Sequence, residues 1–113
     1  MQLLVAVINH EERVDEVLAA FVELGITGAT VVESRGMGRV LSREVPLFAG
    51  LRSLEELSRA SNHTIFCVAE DAKAEAALAL LHEVCGDLSA PGRGIAFTVP
   101  VTRVLGLSPE LER

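Results

Sequence analysis

One local order occurs twice along the 113 residues of this chain. It runs from a short apolar segment rich in β-branched residues, through an acidic turn and a helical apolar stripe, to a glycine. The first pass begins with Leu3–Ile8, which reads as a strand. Asn9, with Glu12 three residues on, has the spacing of a capping box, so a helix is expected to start there. Val14, Val17, Leu18, Phe21 and Val22 recur at helical spacing, and Gly25 supplies the left-handed residue that ends the helix. Gly28–Ser34 reads as a second strand. The second pass has Thr64–Ala69 as a strand and Asp71 as N-cap. Its helix runs to Cys85 with Ala74, Ala77, Leu78, Leu81 and Val84 facing inwards, and Gly86 stops it. Ile95–Val99 is the last strand, expected to continue towards Val104. The order β-α-β-β-α-β predicts an α+β, ferredoxin-like sandwich: a four-stranded antiparallel sheet with both helices on one face, in a single domain spanning 1–113.

Two helices cover one face of such a sheet, so its strands should alternate apolar and polar residues. They do not. Leu3, Leu4, Val5, Ala6, Val7 and Ile8 are apolar on both faces, as are Ile65, Phe66, Cys67, Val68 and Ala69. The second face therefore needs a cover, and another subunit is the natural one. The sequence predicts an obligate oligomer.

Between the two halves stands GMGRVLSREVPLFAGLRSLEELSRAS, residues 36–61, where connections in compact domains usually take about four to six residues. Val40, Leu41, Val45, Leu47, Phe48, Leu51, Leu54 and Leu57 make it too apolar to read as disordered. It is also locally basic. Residues 35–60 hold five arginines against three glutamates, net +2, while the rest of the chain holds five basic and thirteen acidic residues, net −8. Ser53-Leu54-Glu55-Glu56 has the form of a capping box, which predicts two helical turns over 53–60. The Leu54 and Leu57 face either packs on its own subunit or waits for a partner.

The overall charge of −6 argues against a nucleic-acid or anionic-membrane binder. No apolar run approaches the roughly 20 residues of a membrane span, and MQLLVAVINHEE lacks the features of a signal peptide. Cys67 and Cys85 read as buried reduced thiols, so a cytoplasmic protein is expected. No catalytic constellation is present in the sequence pattern. His10, His63 and His82 share no metal-ligand spacing and read as surface side chains. Glu33 beside Arg35 is explained as well by an ion pair as by acid–base chemistry. Two glycine-rich turns remain as binding candidates: Gly36-Met37-Gly38-Arg39 and Ala90-Pro91-Gly92-Arg93-Gly94. Each joins pliant backbone to a guanidinium, a pairing suited to phosphate, although a tight turn with a solvated arginine explains either equally well.

These residues carry a resemblance. GITGATVVESRGMGR (25–39), the long segment after it and the late Gly-x-Gly turn before FTVPVTRVLGL resemble a PII-type nitrogen regulatory protein over nearly the whole chain. The resemblance implies a homotrimer whose sheets line its centre, with an adenine nucleotide (ADP, AMP or ATP) as effector in clefts between subunits. It implies signalling by contact rather than catalysis, through a long loop that docks on a transporter or enzyme of nitrogen or carbon metabolism. Carried over by position, Thr30, Gly36, Gly38, Arg39, Gly92, Arg93 and Gly94 would face the nucleotide. Residues 40–61 would be the docking loop, with Leu47, Phe48, Leu51 and Arg52 as partner contacts. The family pattern has Gln where Val40 stands, Lys at Ile95 and Arg at Gly106 and Ser108. Without a tyrosine the chain has no site for the uridylylation known in part of the family. The departures are those of a divergent PII-like branch with altered ligand and partner. Two rivals stand beside this reading. One is a ligand-independent trimeric module whose ordered loop is a fixed docking surface. The other is metal handling, against which the scattered Cys and His argue.

Overall fold

The computed structural model describes residues 1–37, 62–86, 88 and 94–107. Its elements follow the expected order: β1 (Gln2–Ile8), α1 (Glu11–Glu23), β2 (Thr30–Ser34), β3 (Asn62–Ala69), α2 (Asp71–Val84) and β4 (Gly94–Pro100). The strands form one antiparallel sheet in the order β2-β3-β1-β4, so β1 lies between β3 and β4, and β2 and β4 are the edges. This is the ferredoxin-like α+β arrangement.

The core lies between the sheet and the two helices. Leu4, Ala6 and Ile8 of β1 and Ile65, Cys67 and Ala69 of β3 meet Val14, Val17 and Phe21 of α1 and Ala77 and Leu81 of α2. Val17, Ala74 and Ala77 are wholly buried, and the small alanines let α2 lie close to its neighbours. Val22 does not join this stripe. It is 46% exposed, because it stands one residue, about 100°, past Phe21 on the helix surface.

The helix starts also depart from the sequence reading. His10, not Asn9, is the N-cap of α1, with extended backbone and no side-chain capping bond. Glu11 and Glu12 instead set negative charge in the first turn, where the helix dipole favours it. Glu70 caps α2, and Asp71 is already helical. The Asp71 carboxylate accepts hydrogen bonds from the Met1 ammonium at 2.6 Å and the Gln2 amide at 3.3 Å.

Helix α1 ends as its sequence predicts. Gly25 has φ of 90°, its N–H reaches the Val22 carbonyl at 2.9 Å, and the Ile26 N–H reaches the Phe21 carbonyl at 2.9 Å. This is the paired bonding of a Schellman motif, and its hydrophobic contact joins Ile26 to the core beside Phe21. The next loop is thereby anchored at its first residue.

Strand β4 stops at Pro100 rather than running on towards Val104, since proline offers no N–H for further pairing. The Val101 N–H still reaches the Met1 carbonyl at 3.0 Å before the chain leaves the sheet. His63 corrects another expectation. It is half-buried, and its Nδ1 is enclosed without a hydrogen-bond partner among the described residues, so it is not a solvated surface histidine. Cys67 and Cys85 are both buried thiols. Among the described residues no helix is long and apolar enough to cross a membrane.

Candidate functional site: a neutral cavity beside an open apolar face

The pairing register assigns every strand residue to a face. Opposite the helices lie three rungs: Val99–Leu3–Val68; Phe97–Val5–Phe66–Thr30; and Ile95–Val7–Thr64–Val32. Val5 is shielded by the two phenylalanines that flank it. The flanking residues themselves stand open: Phe66 is 39%, Phe97 43% and Ile95 57% exposed. Among the described residues, the sheet therefore has a contiguous apolar face that nothing covers, the second-face surplus expected from the strand sequences.

At one end of that face is a cavity of about 380 Å³. Its floor comes from Leu3 of β1 and Phe66, Cys67 and Val68 of β3. The loop Ile26–Ala29 and Thr30, the first residue of β2, form one wall, and Gly106 and Leu107 form another. The local sequence accounts for each part. Strand β2 begins pairing only at Thr30↔Phe66, so the ends of β3 and β1 project past it and leave a notch. The Schellman turn at Gly25 and buried Ile26 hold the loop that rims the notch. At Gly28, a Cβ would meet no atom within 4 Å, so that position opens directly onto free space. Gly106, with φ of 82°, turns the C-terminal segment towards the same place.

The lining offers two hydroxyls, on Thr27 and Thr30, an aromatic ring on Phe66, and no ionisable side chain apart from the Cys67 thiol. The groups with displaced titration lie elsewhere. Hydrogen bonds from the Met1 ammonium and Gln2 hold the Asp71 carboxyl below the usual range. Burial pushes the Cys85 thiol up, with the Arg13 charge opposing the rise. Among the described residues no group of three or more His, Cys, Asp and Glu side chains is placed to hold a metal ion.

Of the residues singled out from sequence, Thr30 lines the cavity and two others stand apart from it. Gly36 follows the far end of β2, beside Asn62, where a Cβ would lie 3.2 Å from the Asn62 amide nitrogen. There Ser34 and Thr64 join β2 to β3 by a hydroxyl–hydroxyl hydrogen bond of 2.8 Å. Gly94 opens β4 opposite Ile8 with φ of +113°, and a Cβ there would overlap the Val7 carbonyl oxygen. Sheet packing alone therefore requires glycine at 94. Gly38, Arg39, Leu47, Phe48, Leu51, Arg52, Gly92 and Arg93 fall outside the described residues, as do the rest of 38–61 and Ser108. Sequence reasoning did not single out Ile26, Thr27, Gly28, Ala29 or Leu107. The one signal that pointed towards them was their place in and beside the stretches GITGATVVESRGMGR and FTVPVTRVLGL.

A family model described as Nitrogen regulatory protein P-II matches residues 1–110. No curated protein matches the chain at a significant level.

Proposed function

The chain belongs to the nitrogen regulatory protein P-II family, and from that premise we propose that it is an effector-sensing signal transducer rather than an enzyme. In this reading it assembles as a cytoplasmic homotrimer through the open sheet face. A small effector, an adenine nucleotide, sits in the clefts between subunits against Thr30 and the turns at Gly36-Gly38-Arg39 and Gly92-Arg93-Gly94. Residues 40–61 then dock on a transporter or enzyme, with Leu47, Phe48, Leu51 and Arg52 in contact.

One observation carries the reading: the cavity at Thr30 abuts the uncovered apolar face, sharing Leu3, Phe66 and Val68 with it. A subunit seated on that face would close the cavity's open side, turning a shallow notch into an inter-subunit cleft. The fit to an adenine nucleotide is partial. The volume, the Phe66 ring and the threonine hydroxyls suit a base and sugar. No described lining residue offers a cation to a polyphosphate. Effector binding would act by shifting the population of docking-segment states, limited by the effector's differential affinity for them.

The test joins light scattering to a thermal-shift panel of ATP, ADP, AMP and 2-oxoglutarate. A trimer mass and a selective rise in melting temperature with one nucleotide are expected, since a ligand at 100 times its Kd adds about 2.7 kcal/mol. A monomer that shifts with none of them would sink the reading. A second reading is a ligand-independent docking module, and it is favoured by Gly94, whose close approach to β1 accounts for the glycine without a ligand. Residues 40–61 cleaved by protease at equal rates with and without nucleotide would support it.

A further inference from the structure

The helix side of β2 is uncovered among the described residues. We infer that residues 53–60 of the same chain, which lie outside the described residues, dock there as two helical turns with Leu54 and Leu57 inwards. One rung defines the surface. Val31 pairs with Ile65 on the helix side of the sheet, yet Ile65 is 1% exposed and Val31 38%. The cover ends between them, because α1 packs over β1 and β3, and α2 over β1, β3 and β4. The flank of α1 above β2 is apolar as well. Arg13 and Glu16, whose charges act on Cys85 at the end of α2, mark the flank turned to α2. At about 100° per residue, Leu18 and Val22 fall on the opposite flank, and Val22 is exposed. Val31, Leu18 and Val22 thus line a shallow apolar groove, with β2 as its floor and α1 as one wall.

Chain connectivity selects the occupant. Ser34 and Asn62 are register partners, so residues 35–61 leave and return at one point beside β2. Residues 53–60 lead into β3 with Ser61 alone between, which keeps them next to the groove. The other side of the sheet is polar at that end, with Ser34, Thr64 and Asn62. The lengths agree: Leu54 to Ser61 spans about 11 Å of helix, and Val31 to Ser34 about 10 Å of strand. A helix lying antiparallel to β3 therefore sets Leu54 and Leu57 against Val31. Ser58 and Ser61, each four residues on from one of these leucines, share their face and reach the start of β3. There Glu33 and His63 pair across the strands on the helix side, and the enclosed His63 Nδ1 has no partner among the described residues. A serine hydroxyl, donor and acceptor at once, satisfies it. The short tether makes docking an intramolecular event at high effective concentration. The Leu54 and Leu57 face is then occupied within the subunit, and Leu47, Phe48, Leu51 and Arg52 are left for a partner.

Disulfide trapping in the full chain tests this. Val31→Cys with Leu57→Cys, oxidised mildly and mapped as non-reduced peptides, is expected to give a bond between positions 31 and 57 of one chain. Val32→Cys with Leu57→Cys puts the first thiol on the opposite face of β2 and is expected to trap at least about fivefold less. Val31→Asp, at an exposed position, is expected to speed trypsin cleavage after Arg59 at least about tenfold with the light-scattering mass unchanged. No trapping, equal trapping from positions 31 and 32, or a bond joining different chains would overturn the inference. So would a cleavage rate unmoved by Val31→Asp. None of these readouts needs a nucleotide, so the effector reading stands or falls separately.

Discussion

The two faces of β1 are built from nearly the same side chains and have opposite fates. Leu4, Ala6 and Ile8 are buried under the helices, whereas Leu3, Val5 and Val7 belong to a face the described chain leaves open. The first face is finished by local order: a helix follows its strand, and its apolar stripe is the only place for Leu4 to go. The second is finished by nothing among the described residues of the same subunit. Apolar area of this kind favours burial by about 25 cal/mol per Å², so the two faces contribute to different equilibria. The helix face sets whether a subunit folds, and in the proposed trimer the open face would set whether subunits stay together.

That division can be broken most sharply from the helix side. Phe21→Ala removes a side chain only 1% exposed and is expected to cost about 3–5 kcal/mol in urea unfolding, at any protein concentration. Phe97→Ala acts on the other face and is expected to weaken association by about 1.5–3 kcal/mol per subunit. It should lower the light-scattering mass on dilution while the circular dichroism of the diluted subunit stays unchanged. If both variants lost stability independently of concentration, the faces would not be separable.

Smaller effects sharpen the comparison. Gly25→Ala places a Cβ at φ of 90° in the helix-ending turn and is expected to cost about 1–2 kcal/mol. Gly28→Ala, three residues on and without strain or neighbours, is expected to stay within about 0.5 kcal/mol. Equal losses at the two glycines would remove the distinction between a structural glycine and a cavity glycine.

The smallest effect is at Asp71. Its carboxyl is held low in the folded state, so its contribution is present above the unfolded carboxyl value, about 3.9, and is lost as pH falls through the lower folded one. The group is exposed and screened by water. Asp71→Asn should thus lower the melting temperature only slightly at pH 7, and the difference from the parent should close in strong acid.

Much of this fold was legible because its signals are local. The spacing of Val14, Val17 and Phe21, and Gly25 after them, fixes a helix and its end within one stretch of chain. Doubled apolar strands announced the open face for the same reason. What escaped depended on competition or on distance. His10 displaced Asn9 as N-cap although Asn9 is the stronger capping type. Pro100 ended β4 despite the apolar residues beyond it. The cavity joins residues 26–30 to 106–107, and no spacing rule connects segments so far apart in sequence. Gly94 shows the converse: a glycine beside an arginine invites a phosphate, and the carbonyl of Val7 accounts for the same glycine by packing alone.

Strand β2 is a short rod fastened along one side only, since β3 is its sole partner among the described strands. One tip, Thr30, touches the cavity, and the other, Ser34, is where the chain departs towards residues 38–61. Extended backbone stretches very little, so a pull at one tip is delivered at the other, four residues and about 13 Å away. The hydroxyl latch between Ser34 and Thr64 sits where that pull arrives. An edge strand can slide or tilt against a single neighbour more readily than a strand clamped on both sides. In the proposed reading, its place at the margin of the sheet would make β2 the mechanical linkage between an effector in the notch and a partner of the long segment.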